Sequence, residues 1–116
     1  MKKIKPLVLL AAFLPGICFG DDAIYVHNGF FTASGFRELA QSTKQIYSMG
    51  LIDGILLAPL YGADKEKMIV LESCIEGMSG DQIAAIFDKY IQDHPERWHG
   101  NMHAVGFSAM KQACEG

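Results

Sequence analysis

The sequence predicts an all-α fold, a compact bundle of four to five helices closed by one disulfide, and three observations carry that expectation. Apolar residues recur at three- and four-residue spacing, most clearly at Ile83, Ile86, Phe87, Tyr90 and Ile91. No segment sustains the period-two alternation of a half-buried strand. Two cysteines, Cys74 and Cys114, stand at the ends of predicted helices.

The chain opens on a leader pattern. Lys2, Lys3 and Lys5 precede an apolar run from Leu7 to Leu14, and no acidic residue appears before Asp21. Cys18-Phe19-Gly20 places small residues three and one before Asp21, so residues 1–20 read as a secretory signal peptide cleaved after Gly20. The eight apolar residues between Pro6 and Pro15 fall short of a membrane span, which takes about 20. Pro15-Gly16-Ile17 is a poor approach to a lipidated cysteine at Cys18. Export predicts a periplasmic protein whose mature domain is 21–116, with no membrane attachment after cleavage.

Cleavage changes the charge and the cysteine count. The full chain carries −3, and losing the three lysines leaves −6. An acidic surface argues against nucleic acid and anionic lipid and permits a basic protein partner, although solubility alone accounts for it equally. The 96 remaining residues suffice for one domain. With Cys18 gone, Cys74 and Cys114 are an even pair in an oxidising compartment, where such pairs form disulfides. Such a bridge closes about 41 residues. In the chain-entropy model that is worth roughly 4 kcal/mol, a large share of a total of about 5–15 kcal/mol.

From Asp21 to Thr32 the composition is mixed, an arm or loop. Phe36 and Leu39-Ala40 predict a short first helix capped by Thr32 or Ser34. A second begins near Ser42-Thr43 and runs to about Ala58, where Pro59 ends it. Its apolar residues (Ile46, Tyr47, Met49, Leu51, Ile52, Ile55, Leu56, Leu57) nearly encircle it, which predicts a central position. Gly50 and Gly54 lie one turn apart, each costing about 1 kcal/mol relative to alanine, and predict close approach of another helix. Tyr61 to Ala63 is a turn, and Asp64 caps a helix from Lys65 to about Ser73 with Met68, Ile69 and Leu71 on its buried side. Ser79 and Gln82 form a capping box for the best-defined helix. Pro95 stops it and suits the first turn of the last helix, predicted from Glu96 to Ala113 with Trp98, Met102, Val105 and Ala109 on one stripe.

Few constellations point to chemistry. On that last helix His99 and His103 would share one face a turn apart, with His94 near in sequence. A metal ion would use such a pair plus a third ligand, but no acidic residue stands between them as a metalloprotease base. Ser108 and Lys111 have the spacing of penicillin-binding enzymes without the accompanying elements. Asp53, inside the apolar second helix, reads either as a partner-binding or catalytic acid or as a buried structural carboxylate satisfied by backbone amides, Tyr47, Tyr90, His99 or His103. Glu96, Arg97 and Trp98 form an amphipathic cluster, a core plug or an interface hot spot. No catalytic residues and no cofactor are expected.

Several segments line up with a known family. Tyr47-Ser48-Met49-Gly50-Leu51-Ile52-Asp53-Gly54, Cys74-Ile75-Glu76-Gly77-Met78-Ser79 leading to Gln82, Asp88-Lys89-Tyr90, His94-Pro95-Glu96-Arg97-Trp98-His99 and Ala113-Cys114 occur in order over about Phe31 to Cys114. In these the chain resembles the Rap/Tai group of periplasmic immunity proteins of type VI secretion systems. The resemblance implies a small exported helical protein with its two cysteines bridged. It also implies a non-enzymatic role, binding and neutralising a peptidoglycan amidase, often as a homodimer. The matched residues Tyr47, Gly50, Asp53, Gly54, Pro95 and Trp98 read as scaffold. Contact residues are expected on loops over the rigid bundle: Tyr61 and Asp64 on one connection, Asp93 and Glu96 on another. The rival expectations are a small periplasmic chaperone and a metal-binding helical protein using His99 and His103.

Overall fold

Thr32 starts the helical part of the chain by accepting a hydrogen bond from the Gly35 amide on its side-chain oxygen (3.0 Å). In the computed structural model, which describes residues 28–115, five α-helices follow: α1 (Ala33–Arg37), α2 (Gln41–Leu56), α3 (Lys65–Ile75), α4 (Gly80–Asp93) and α5 (Met102–Glu115). Single 3-10 turns occupy Ala58–Tyr61 and Pro95–Arg97. Among the described residues the only β-type pairing is one bridge between Thr32 and Asn101, so the all-α expectation holds. The leader and its cleavage site lie outside the described residues.

The caps sit where the sequence puts them. Asp64 accepts from the Glu66 amide at 3.0 Å, and its charge suits the positive end of α3. Ser79 and Gln82 complete the capping box of α4 in both directions, at 2.8 and 3.3 Å. Pro59 follows the end of α2 at Leu56, as the sequence predicts, and sits in the first turn of Ala58–Tyr61, where its missing N–H costs nothing.

α4 is the axle of the fold. Its stripe buries Ile83, Ala84, Phe87 and Ile91 against Phe36 of α1 and Met102, Val105, Ala109 and Met110 of α5. The Phe36 and Phe87 rings meet edge to face with centroids 5.9 Å apart. Lys44 of α2 reaches both carboxylate oxygens of Asp88 at 3.0 and 3.1 Å. Gln41 and Gln45 donate to Asp81. The connection into α5 is stitched to the start of α1: the Ala33 and Ser34 amides donate to the Gly100 and Trp98 carbonyls, and Met102 N–H to Phe31 O. The Cys74–Cys114 disulfide joins the last turns of α3 and α5, with Cα atoms 5.6 Å apart.

Four expectations need correction. α2 is not central: it packs on α4 and α5 by one side, burying Ser48 and Ile52, and leaves its other side exposed. Gly50 and Gly54 are not a helix crossing, since a Cβ at either would meet nothing within 4 Å. Ile69 is 59% exposed and does not belong to the buried side of α3. The last helix starts at Met102, because the 3-10 turn Pro95–Arg97 and the Gly100 bend intervene.

The close helix approach does exist, at Gly106 on α5. A Cβ there would lie 2.6 Å from Leu51 Cδ2 and 3.3 Å from Phe87 Cζ. Gly106→Leu is therefore expected to lower stability by about 1–3 kcal/mol through overpacking. Gly54→Leu, with open space around it, should stay within about 1 kcal/mol of wild type. Urea denaturation of the two variants checks the contrast.

Candidate binding face

With 3.6 residues per turn, turning Ser48 and Ile52 inward places Ile46, Gly50, Asp53, Gly54 and Leu57 on the opposite face of α2, with Met49 on its flank toward Gly80. All six are exposed, Ile46 to 68%. The 3-10 turn continues the strip with Leu60 at 79% and Tyr61 at 90% exposure. Beyond it, Leu56, Pro59, Met68 and Ile69 line a groove of about 430 Å³ that carries the apolar surface onto α3. On the other flank Gly50 and Gly54 open into a groove of about 530 Å³. Leu51, Ile55, Ala104 and Phe107 form its apolar walls, and Arg97, His103 and Ser108 its polar side.

Asp53 corrects the expectation of a buried structural carboxylate. It sits at the middle of this exposed face, where water solvates it, and requires none of Tyr47, Tyr90, His99 or His103. It is the one ionised side chain on the strip from Ile46 to Tyr61.

The residues expected on loops divide into two pairs. Tyr61 ends the 3-10 turn, and Asp64 caps α3 just beyond it. Asp93 ends α4 and pairs with Lys89 one turn back at 2.7 Å. Such exposed i,i+4 pairs contribute about 0.3–0.5 kcal/mol. Glu96 is exposed on the Pro95–Arg97 turn. No hydrogen bond or ion pair among the described residues joins the two pairs.

The Arg97–Trp98 cluster works as a clamp. Trp98 donates its indole N–H to the Ile91 carbonyl at 2.7 Å, under the Arg37 guanidinium 5.1 Å from the ring. Arg97 donates to the Tyr90 hydroxyl at 2.7 Å, and Tyr90 stacks on His94 with centroids 4.0 Å apart. These contacts, with Pro95 in the turn, fold the exit of α4 back on itself. Tyr47 is a plug of the same kind: Phe31 meets its ring edge-on at 5.4 Å, and burial pushes its phenol above the ordinary range.

The remaining motifs are not assembled. His99 lies in the turn before α5 while His103 is on the helix beside Gly29, so the two do not share a helical face. Among the described residues no group of three or more His, Cys, Asp or Glu side chains is placed to hold a metal ion. The Ser108 hydroxyl donates to the Ala104 carbonyl at 3.1 Å, the local back-bond of a helical serine. No helix of the described residues is long and apolar enough to cross a membrane.

Sequence reasoning missed Ile46, Met49, Leu57, Leu60, Ile69 and Phe107 as surface residues. One signal points to Ile46, Met49 and Leu57, because α2 and its exit are apolar on every side and a helix packed by one face has no use for the excess. The chain matches no protein-family model, no curated protein and no solved structure.

Proposed function

We propose that this protein is an exported, non-enzymatic binding protein of the immunity type, which neutralises a peptidoglycan amidase by covering it. The surface it uses is the outer face of α2 together with the Leu60–Tyr61 turn. One observation carries the reading: an apolar strip running from Ile46 through Leu57 to Tyr61 and onto Ile69, all exposed. Soluble monomers rarely leave contiguous apolar patches beyond a few hundred Å² uncovered, and larger ones mark interaction sites.

Asp53 gives that surface a polarity. A two-fold pairing of two copies across Gly50 and Gly54 would set the Asp53 carboxylates against one another, and like charges brought together in an interface are costly. A partner carrying a basic side chain opposite Asp53 meets the reverse situation. The mature charge of −6, from −3 less the three leader lysines, steers a basic partner inward over longer range. The choice of an amidase, and of the periplasm, rests on the Rap/Tai resemblance.

The test is a binding titration of the mature protein against the secreted peptidoglycan amidases of its own organism, followed by growth of cells in which the amidase is directed to the periplasm. Tyr61→Ala is expected to weaken binding about 30-fold, the effect of a hot-spot aromatic. The circular-dichroism spectrum should not change, since the side chain is 90% exposed. Asp93→Ala and Glu96→Ala, on the second connection, should alter the association rate and its salt dependence more than the dissociation rate. If no amidase binds, and cells lacking the protein tolerate every one delivered by their siblings, the reading fails. The same exposed face would suit a small chaperone, which is distinguished by suppressing aggregation of unrelated clients.

A further inference from the structure

α3 is the least anchored helix of the domain. α2 is tied to α4 by Lys44–Asp88 and by the glutamines on Asp81. The start of α1 is tied through backbone bonds to the loop before α5. No hydrogen bond or ion pair among the described residues links α3 to another helix, and Leu71 is its one buried side chain. Its main contact is with α5, and along that contact runs a partly open groove of about 150 Å³ lined by Met68, Leu71, Phe107 and Met110. The covalent bond from Cys74 to Cys114 spans this one seam.

We infer that the Cys74–Cys114 disulfide is a redox latch for α3: opening it releases α3 and its flanking turns while α1, α2, α4 and α5 stay folded around Phe87. The reaction is thiol–disulfide exchange with a dithiol, small or carried by a protein. A thiolate of the dithiol attacks one sulfur of the bridge, and the other cysteine leaves as a thiolate. The second thiol of the reductant then closes on the mixed disulfide. The reductant loses two electrons and two protons and becomes a disulfide; Cys74 and Cys114 gain both as free thiols. Cys114 lies at the wall of the 150 Å³ groove with Lys67, Lys111 and Glu115.

One burial supports local rather than global opening. Leu71, with Ile75 packed beside it, is what α3 contributes to the core, whereas the largest fully buried apolar side chains, among them Phe36, Phe87, Ile91 and Met102, stand on α1, α4 and α5. Free energies of opening vary across a fold, and the element with fewest buried contacts opens first. If the binding face proposed above is correct, the latch also controls it, because Leu60, Tyr61 and Ile69 depend on the position of α3. The latch itself stands without that reading.

The experiment is hydrogen exchange, read by mass spectrometry, on the mature protein before and after reduction with dithiothreitol, and on Cys74→Ala/Cys114→Ala. It needs no partner, so its result is separate from that of the binding titration. Reduction is expected to speed exchange at least tenfold over residues 65–78, with 83–91 and 102–110 still protected. Unchanged protection of α3 would overturn the latch, and so would simultaneous loss in every helix. Reduced wild type and the double variant should give the same map. Oxidised Leu71→Ala, which keeps the bridge, should retain protection in α3 within threefold of wild type; a tenfold loss there would show that packing and not the disulfide holds the helix.

Discussion

Phe87→Ala is expected to cost about 3–5 kcal/mol, the range for a buried phenylalanine truncated to alanine. Phe87 is fully buried, stacks edge-on with Phe36, and is the ring over which Gly106 allows α5 to close. Truncation therefore opens a cavity where α1, α4 and α5 meet, and no neighbouring element is free to collapse into it. For a domain of this length the loss corresponds to a fall in Tm on the order of 12–40 °C. Phe107→Ala supplies the contrast. Its ring is 48% exposed on the groove beside Gly54, and it should lose roughly 1 kcal/mol or less. Thermal melts of both variants followed by circular dichroism decide the matter: similar losses would mean that the core is not centred on α4.

The two phenylalanines show what is legible in the sequence. Ile83, Phe87 and Ile91 are spaced by four along a helix whose charges, Asp81, Asp88, Lys89 and Asp93, fall on other positions, so their inward direction follows from spacing alone. The stop at Pro95, the caps at Thr32, Asp64 and Ser79, and the partnership of Cys74 with Cys114 are readable for similarly local reasons. α2 is not, because period alone cannot choose a buried side when apolar residues stand all round the helix. Only tertiary contact settles that Ser48 and Ile52 face inward and that Ile46, Asp53 and Leu57 face water. Gly50 and Gly54 mislead by spacing, since a small-residue strip signals close approach only where another helix arrives. That place is Gly106. The start of α5 is hard to read because the helical look of Glu96 to His99 masks the turn propensity of Gly100, followed by Asn101 as a capping type. The Asn101 carbonyl accepts from Ala104 and Val105, which makes it the first acceptor of the true helix.

For the site the balance is the reverse. Tyr61 and Asp64 follow from the tendency of loops over a rigid scaffold to make contacts, and they lie at the end of the exposed strip. The strip itself depends on which face of α2 is left over once the core is built. That remainder is a property of the packed domain and not of any local segment.

Removing the disulfide should lower the folding free energy by about 4 kcal/mol, as loop closure over some 40 residues implies. The unfolded chain gains conformations when Cys74 and Cys114 are freed, and a domain with about 5–15 kcal/mol in hand loses a large part of it. A second consequence separates this protein from one whose bridge merely staples a rigid core. If α3 leaves the domain on reduction, the reduced native state already exposes α3, and less surface remains to be uncovered by denaturant. The urea m-value scales with that surface. In equilibrium unfolding, Cys74→Ala/Cys114→Ala should therefore show a lower midpoint together with a shallower slope than the oxidised protein. A lower midpoint at an unchanged slope would keep the entropic role of the bridge and remove the release of α3. An unchanged midpoint would remove both, and would place the stability of the domain wholly in the packing of α1, α2, α4 and α5 around Phe87.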